Sequence, residues 1–317
     1  MLLTTLVIYN ISCYNVRMQN LEVLKNSFTA KVADFINVVA KKLPDDVLVR
    51  LKEMQSNETE QRALAVYDCI FKNLEKAISL DRPICQDTGV VQFFVKVGTN
   101  FPLINDLESC LRKAVEIATE KAPLRHNAVE TFIEKNTGTN LGTGVPYIEY
   151  DLIPNSDKLE LTVYLAGGGC SLPGRSTVLM PSEGYEGAFK FVADTLVTYG
   201  INACPPLVIG VGFGPCMATS AKLAKKASLR SIGSHNPNEK VAEMEVKLQS
   251  ALNKIAIGPQ GLGGTESVVA VNIENMARHP SSFGVAVAFG CWAHRRGVVE
   301  FNADLSSSVL THQGVAL

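Results

Sequence analysis

The period of the hydrophobic pattern changes near residue 80, and this change constrains the fold more than any other feature of the chain. Upstream, Leu21, Leu24, Phe28, Val32, Phe35, Ile36 and Val39 recur at helical spacing with Lys and Asn between them. "LPDD" at 43–46 ends that helix and opens another with acids in its first turn. "NETE" at 57–60 reads as a capping box for a third helix running to about Leu80. Downstream, β-branched runs alternate with helical stretches. "GVVQFFVKVG" reads as a buried strand, and a helix with Leu107, Leu111 and Val115 on one face follows it. "YIEYDLIPNSDKLELTVYLAGGG" reads as a hairpin around a Pro-Asn-Ser-Asp turn. Helices near 184–199, 217–230 and 237–254 and the strands "LVIGVGFG", "SVVAVNIE" and "FGVAVAFGC" complete the pattern. The expectation is an α/β mixed (α+β) fold: a helical subregion at 18–80, then mixed sheets with packed helices, in one large domain over 18–317.

Composition narrows the function. With 317 residues, 46% hydrophobic and 19% charged, the chain can bury a sizeable core. Its net charge of −1 offers no field for nucleic acid or an anionic membrane surface. No apolar run approaches the roughly 20 residues a spanning helix needs. The start "MLLTTLVIYNISCYNVRMQN" has no positive charge before Arg17 and no clear small-residue cleavage site, which argues against a secretory signal. Residues 1–17 read as a disordered or extraneous leader, and the expected location is cytoplasmic.

"DRPICQDTGVVQFFVKVG" places Asp87 in a Cys-Gln-Asp-Thr-Gly turn. An aspartic protease needs two such acids sharing a proton, and the chain has one D-T-G. "VIGVGFGPCMATSAKL" runs a strand through glycines into a helix, but Pro215 stands where a dinucleotide fingerprint needs its third glycine. The glycines are better explained by close strand–helix packing.

The eight cysteines include no Cys-x-x-Cys pair, which disfavours zinc ribbons, thioredoxin-like sites and ferredoxin runs. Cys69 and Cys110 fall on apolar helix faces and read as core, while Cys13 lies in the leader. Cys85, Cys170, Cys204, Cys216 and Cys291 all sit at element ends, where ligands from distant segments converge. Spacing leaves these five open.

"RPICQDTG", "KAPLRHNAV", "AGGG", "NACPPLVIGVG", "ARHPSSFGVAVAFGCWAHRR" and "IGPQGLGG" together resemble the class I (iron–sulfur) fumarase and tartrate dehydratase family, from about Met18 onward. "AGGGCSLPGRSTVLMPSEGYEG" resembles the tartrate side of that family, fumarases having a Ser-Ala-Asn-like continuation after the glycines.

The resemblance implies a [4Fe–4S] cluster held by three cysteines, matching Cys85, Cys204 and Cys291 here, with one iron open to substrate. A fourth thiolate would close that iron, whereas an open one serves as a Lewis acid for loss of hydroxide. The implied activity is dehydration of L(+)-tartrate to oxaloacetate, with fumarate/malate chemistry as the alternative. Asp87 is the implied catalytic acid–base group, against the plainer role of bonding its own turn's amides. Gln86, Arg125, Gly168 and Gly169 are implied substrate-site residues, and His279 matches a histidine that reaches a neighbouring protomer's site. Arg175, in the stretch departing from fumarases, is a candidate contact to the extra hydroxyl or carboxylate, or else an ion-pair residue. "HRR" at 294–296 either supports the cluster's charge or caps a strand. Single-chain members are longer, so the resemblance also implies a separate β subunit, an α2β2 assembly and an inactive lone chain.

Overall fold

The computed structural model describes the backbone of residues 2–317 and the side chains of 20–317; Met1 and the side chains of the leader read over 1–17 lie outside the described residues. Contacts divide the chain into two compact units, each drawn from separated segments. The first comprises Met1–Ala40, Val90–Tyr164 and Gly297–Leu317, and the second Lys41–Gly89 and Leu165–Arg296.

The first unit carries helices α1 (Leu2–Lys41) and α4 (Leu107–Lys121) and a five-stranded sheet. Its strands are β1 (Val90–Gly98), β4 (Tyr147–Ile153), β5 (Leu159–Ala166), β10 (Arg296–Phe301) and β11 (Ser307–Val309), in the order β11-β10-β5-β1-β4. A small ladder of β2 (Val129–Glu130) and β3 (Lys135–Asn136) stands apart from it. Phe28 of α1 packs edge-on against Phe101 and Phe301, with centroids 6.1 and 5.0 Å away, and all three rings are buried. Burying such a ring contributes roughly 1.5–3 kcal/mol.

The expected hairpin at 147–166 does not form, because β1 lies between β4 and β5 and pairs in parallel with β4 from Gln92↔Tyr147 to Gly98↔Ile153. β1 alternates apolar side chains with Val91, Phe93, Val95 and Val97 buried, so it is stabilised by a neighbour on each edge. The 154–157 turn wraps the end of β1. Gly98 N–H donates to Lys158 O (2.8 Å), and a side chain at Gly98 would meet Ser156 O at 2.1 Å.

The second unit contains α2 (Asp45–Asn57), α3 (Gln61–Ser79), α5 (Gly168–Ser171), α6 (Gly184–Tyr199), α7 (Met217–Ser228) and α8 (Glu239–Asn253). Its sheet orders β6 (Arg175–Leu179), β9 (Phe283–Gly290), β7 (Leu207–Gly214) and β8 (Val268–Asn275) as β6-β9-β7-β8. β7 is buried along its whole length, as expected of a central strand covered on both faces. A Cβ at Gly210 or Gly212 would come within 2.0 or 2.1 Å of an α7 carbonyl, so these glycines serve close packing, as read from the sequence.

Two local expectations change. α3 buries Ala63, Tyr67, Ile70, Leu74 and Ala77, which turns Cys69 outward to solvent instead of into the core. No side-chain cap forms at Glu60; Glu58 instead accepts the N–H groups of Thr59, Glu60 and Thr265. Among the described residues no helix is long and apolar enough to cross a membrane.

Candidate active site

Antiparallel pairing of β7 and β9 sets Val208 opposite Gly290, so the residues just before β7 and just after β9 meet at one end of the sheet. Cys204 and Cys291 are those residues, and Trp292 N–H donates to Cys204 O (3.2 Å). Cys204 has a left-handed backbone, φ 55°, which ends the preceding 3-10 turn and re-aims the chain into β7. β6 begins opposite Val287 of β9, which carries the preceding α5 toward the same sheet end. α5 brings Cys170 into the electrostatic neighbourhood of Cys291.

The 85–89 turn joins this group through three contacts within the second unit. Gly89, at φ +79°, lies so close to Leu165 and Ala166 that a Cβ would meet their backbone at 2.8–2.9 Å. Asp87 accepts from Gly89 N (2.9 Å) through Oδ1 and from Gly168 N (2.7 Å) through Oδ2. The Arg295 guanidinium donates to Asp87 O (2.6 Å). Gly167 leaves room for this: a Cβ there would stand 3.1 Å from Asp87 Oδ2 and 3.6 Å from Arg295 Nη2. Asp87 thus bonds its own turn's amide, and it also reaches a second segment, Gly168.

The thiols share one electrostatic neighbourhood. Hydrogen bonding to Cys291 outweighs burial and lowers Cys170 to about 7. The neighbouring Cys170 and burial push Cys291 well up, so the two thiols titrate as one coupled pair. Cys204 is raised by burial of its surroundings and by Cys170, Cys85 and Asp87, although its surface is open to solvent. Arg295 and Lys225 act on Cys170 as neighbouring cations.

The other sequence candidates are placed as follows. Gln86 is exposed beside Asp87, and Gly169 abuts Asn202 O, which a Cβ would meet at 2.8 Å. Arg175 donates from Nη1 to Leu172 O (2.7 Å) and Gly174 O (2.8 Å) and stacks on Tyr199 at 4.1 Å. His279 lies on an exposed loop and accepts from Ser281 N through Nδ1 (3.1 Å). Arg125 belongs to the first unit, where Asn140 Nδ2 holds its carbonyl (2.9 Å). Cys216 stands apart with Thr219 Oγ1 at 2.8 Å, and Cys110 is buried in α4.

Sequence reasoning left Cys170 undecided among five thiols and missed Lys225, which has no motif around it. Arg295 was visible only as part of "HRR", four residues past Cys291.

The donor set fits an iron–sulfur cluster. Among the described residues, no three His, Cys, Asp or Glu side chains close into the tight shell of a single ion. A multi-iron cluster takes each thiolate on a different iron and spreads its ligands more widely. Arg295 Nε is buried with no hydrogen-bond partner beside these thiols, a position suited to a bound anionic group.

The chain belongs to the Fumarate hydratase (Fumerase) family, whose model matches residues 29–300. It is 54% identical over 292 residues to the L(+)-tartrate dehydratase subunit alpha of Escherichia coli strain K12, covering 92% of this chain and 96% of that one. The proteins of the same description from Shigella sonnei and from Escherichia coli O157:H7 match at the same identity and coverage.

Proposed function

We propose that the chain is the α subunit of a cytoplasmic iron–sulfur hydro-lyase that dehydrates L(+)-tartrate to oxaloacetate together with a β subunit, as an α2β2 assembly. The observation that carries this reading is the meeting of Cys204, Cys291 and the Cys85–Gly89 turn at one end of the β7/β9 pair. The 54% identity to proteins described as L(+)-tartrate dehydratase subunit alpha supports the substrate, and the word "subunit" supports a partner.

Cys85, Cys204 and Cys291 would hold a [4Fe–4S] cluster. When bound, it supplies an iron with an open position that acts as a Lewis acid on the departing hydroxyl. Dehydration removes a proton from one carbon and hydroxide from its neighbour, giving an enol that tautomerises to oxaloacetate. Asp87, fixed by the amides of Gly89 and Gly168, stands at the substrate hydroxyl and delivers a proton from a carboxylate oxygen as that hydroxyl departs, so that it leaves as water. Arg295 holds that turn from its backbone side, so the carboxylate is positioned before substrate arrives. Gly168 and Gly169 admit the substrate close to the backbone, and Gln86 binds its polar groups; Arg125, implied by the family resemblance, offers a fork suited to a carboxylate. His279 completes a neighbouring protomer's site. Arg175 contacts the group that distinguishes tartrate from malate.

The test is iron and acid-labile sulfide per chain after anaerobic reconstitution with a co-expressed β subunit. About four of each are expected in the wild type. Cys85→Ser should lose them together with turnover of L(+)-tartrate. Faster turnover of malate than of tartrate would move the assignment to a two-chain fumarase, and a well-folded complex without iron would sink the hydro-lyase reading.

A further inference from the structure

The loop between β8 and β9 is exposed, yet its backbone is fixed from three sides. Pro280 leads a turn in which Ser282 N–H donates to His279 O (3.1 Å), and Ser282 Oγ donates to Pro215 O (3.4 Å) just past β7. Arg278 braces the same turn: its Nη1 donates to His279 O (3.1 Å), Pro280 O (3.3 Å) and Ser282 O (3.1 Å). The guanidinium rests in turn on Phe283, 4.9 Å from the ring centroid. Phe283 is buried and stacks on Phe213 at 5.4 Å, with Tyr185 edge-on to both rings. A cation that meets three carbonyls and a ring seated in the core ties a surface turn to the rigid sheet. The imidazole of His279 is held as well. Ser281 N–H donates to Nδ1 (3.1 Å), and a backbone amide can only donate. Nδ1 is therefore the acceptor nitrogen, and the neutral ring carries its proton on Nε2. Among the described residues Nε2 has no partner, so this exposed ring has one N–H donor to spare.

We propose that Arg278 is a positioning residue, which fixes the Pro280 turn so that His279 offers Nε2–H as a hydrogen-bond donor to a substrate carboxylate in a neighbouring protomer's site. This rests on the reading of His279 as part of that site. A donor whose backbone and ring are set in advance loses little freedom when substrate arrives, so the brace contributes to substrate affinity more than to the chemical step. Arg278 itself does not touch the substrate; it acts through the three carbonyls and the ring they carry. The two nitrogens of His279 accordingly have different tasks. Nδ1 is spent on the Ser281 amide, and Nε2 is the nitrogen that recognises the substrate.

The experiment measures steady-state turnover of L(+)-tartrate by the chain co-expressed with its β subunit. Arg278→Met keeps an apolar stem over Phe283 but loses the three carbonyls, and should raise KM about 10-fold with kcat within about twofold of wild type. Arg278→Lys keeps a cation and its donors and should recover part of that loss. Simple misfolding would instead remove active sites, lowering kcat with KM unchanged. His279→Gln sets an amide nitrogen near the place of Nε2, whereas His279→Asn sets it near the place of Nδ1, so the Gln variant should keep the lower KM of the two. Adding Arg278→Met to His279→Asn should raise KM no further, because the brace acts through the ring. A further rise of about 10-fold in the double variant, a lowered kcat at unchanged KM in Arg278→Met, or an Asn variant as good as Gln overturns the proposal. Impaired His279 variants beside an unaffected Arg278→Met would sink the brace alone. Wild-type kinetics in both His279 variants would remove His279 from the site, and the reading beneath the proposal would fall with it.

Discussion

In the first unit, buried polar side chains close on their near neighbours. Asn140 donates to Thr119 Oγ1 (3.1 Å) and Arg125 O (2.9 Å) and accepts from Asn127 N (2.7 Å), and Thr119 bonds back to Val115 O. In the second unit the buried polar groups reach across long stretches of sequence. Arg296, 1% exposed, pairs with Asp46, which also accepts from Ile232 N (2.7 Å). Thr265 N–H donates to Glu58 (2.8 Å) across 207 positions, and Arg295 reaches back to Asp87 across 208. Local closure stiffens a loop. Long-range closure holds distant segments in one geometry, which is what a site assembled from four chain segments requires.

That contrast can be broken most severely at the strand–helix contact of the second unit. Gly210→Ala places a Cβ 2.0 Å from Ala224 O and 2.4 Å from Ser228 N, both backbone atoms that cannot give way. We expect failure to fold, or a loss of about 3 kcal/mol or more, read by chemical denaturation. Next comes Asp46→Ala, which strands the buried Arg296 charge and should cost about 3–5 kcal/mol. Pairing it with Arg296→Met should recover most of that loss, and a double variant no better than the single would show that the pair is not the cause. Phe28→Ala, in the first unit, should cost about 3–5 kcal/mol through loss of its contacts with Phe101 and Phe301. If the contrast holds, hydrogen exchange in the ten residues around Asn140 should change less than that around Phe101.

Glu58 sharpens the comparison through pH. Burial pushes its carboxyl up, but donors on Glu60, Thr265 and Thr59 outweigh burial and hold it below its ordinary 4.5. A group depressed in the folded state contributes stability above its unfolded value and loses it as pH falls through the folded value. Glu58→Gln should therefore cost about 1–2 kcal/mol at pH 7, with the gap to wild type closing below pH 4.5. A gap constant from pH 7 to 3 would show that the carboxylate charge is not what these amides hold. The smallest effect is expected at Lys190→Ala, whose pair with Asp194 is 75% and 62% exposed and should shift stability by less than about 0.5 kcal/mol.

Much of this was legible in the linear order. The helices at 45–57 and 61–79 follow the apolar spacing, and the buried β7 follows from an uninterrupted apolar run into glycines. The hairpin was misread because adjacent strands usually pair, and nothing local shows that a strand 50 residues upstream inserts between them. Cys69 was misread because one residue of helical phase separates the buried face from the exposed one. Of the site, Asp87 and the end-of-element cysteines stood out, while Arg295 and Lys225 did not, since a cation's neighbours cannot be counted along the chain.

By itself the sequence determined the alternation of helix and strand, the glycines that let β7 and α7 touch, and the turn that exposes Asp87, because propensity, period and steric freedom act between near neighbours. Only the tertiary structure decided which thiols meet. Cys170 and Cys291 are 121 positions apart, and their proximity follows from the antiparallel register of β6, β9 and β7, which is selected by burying two sheet faces at once.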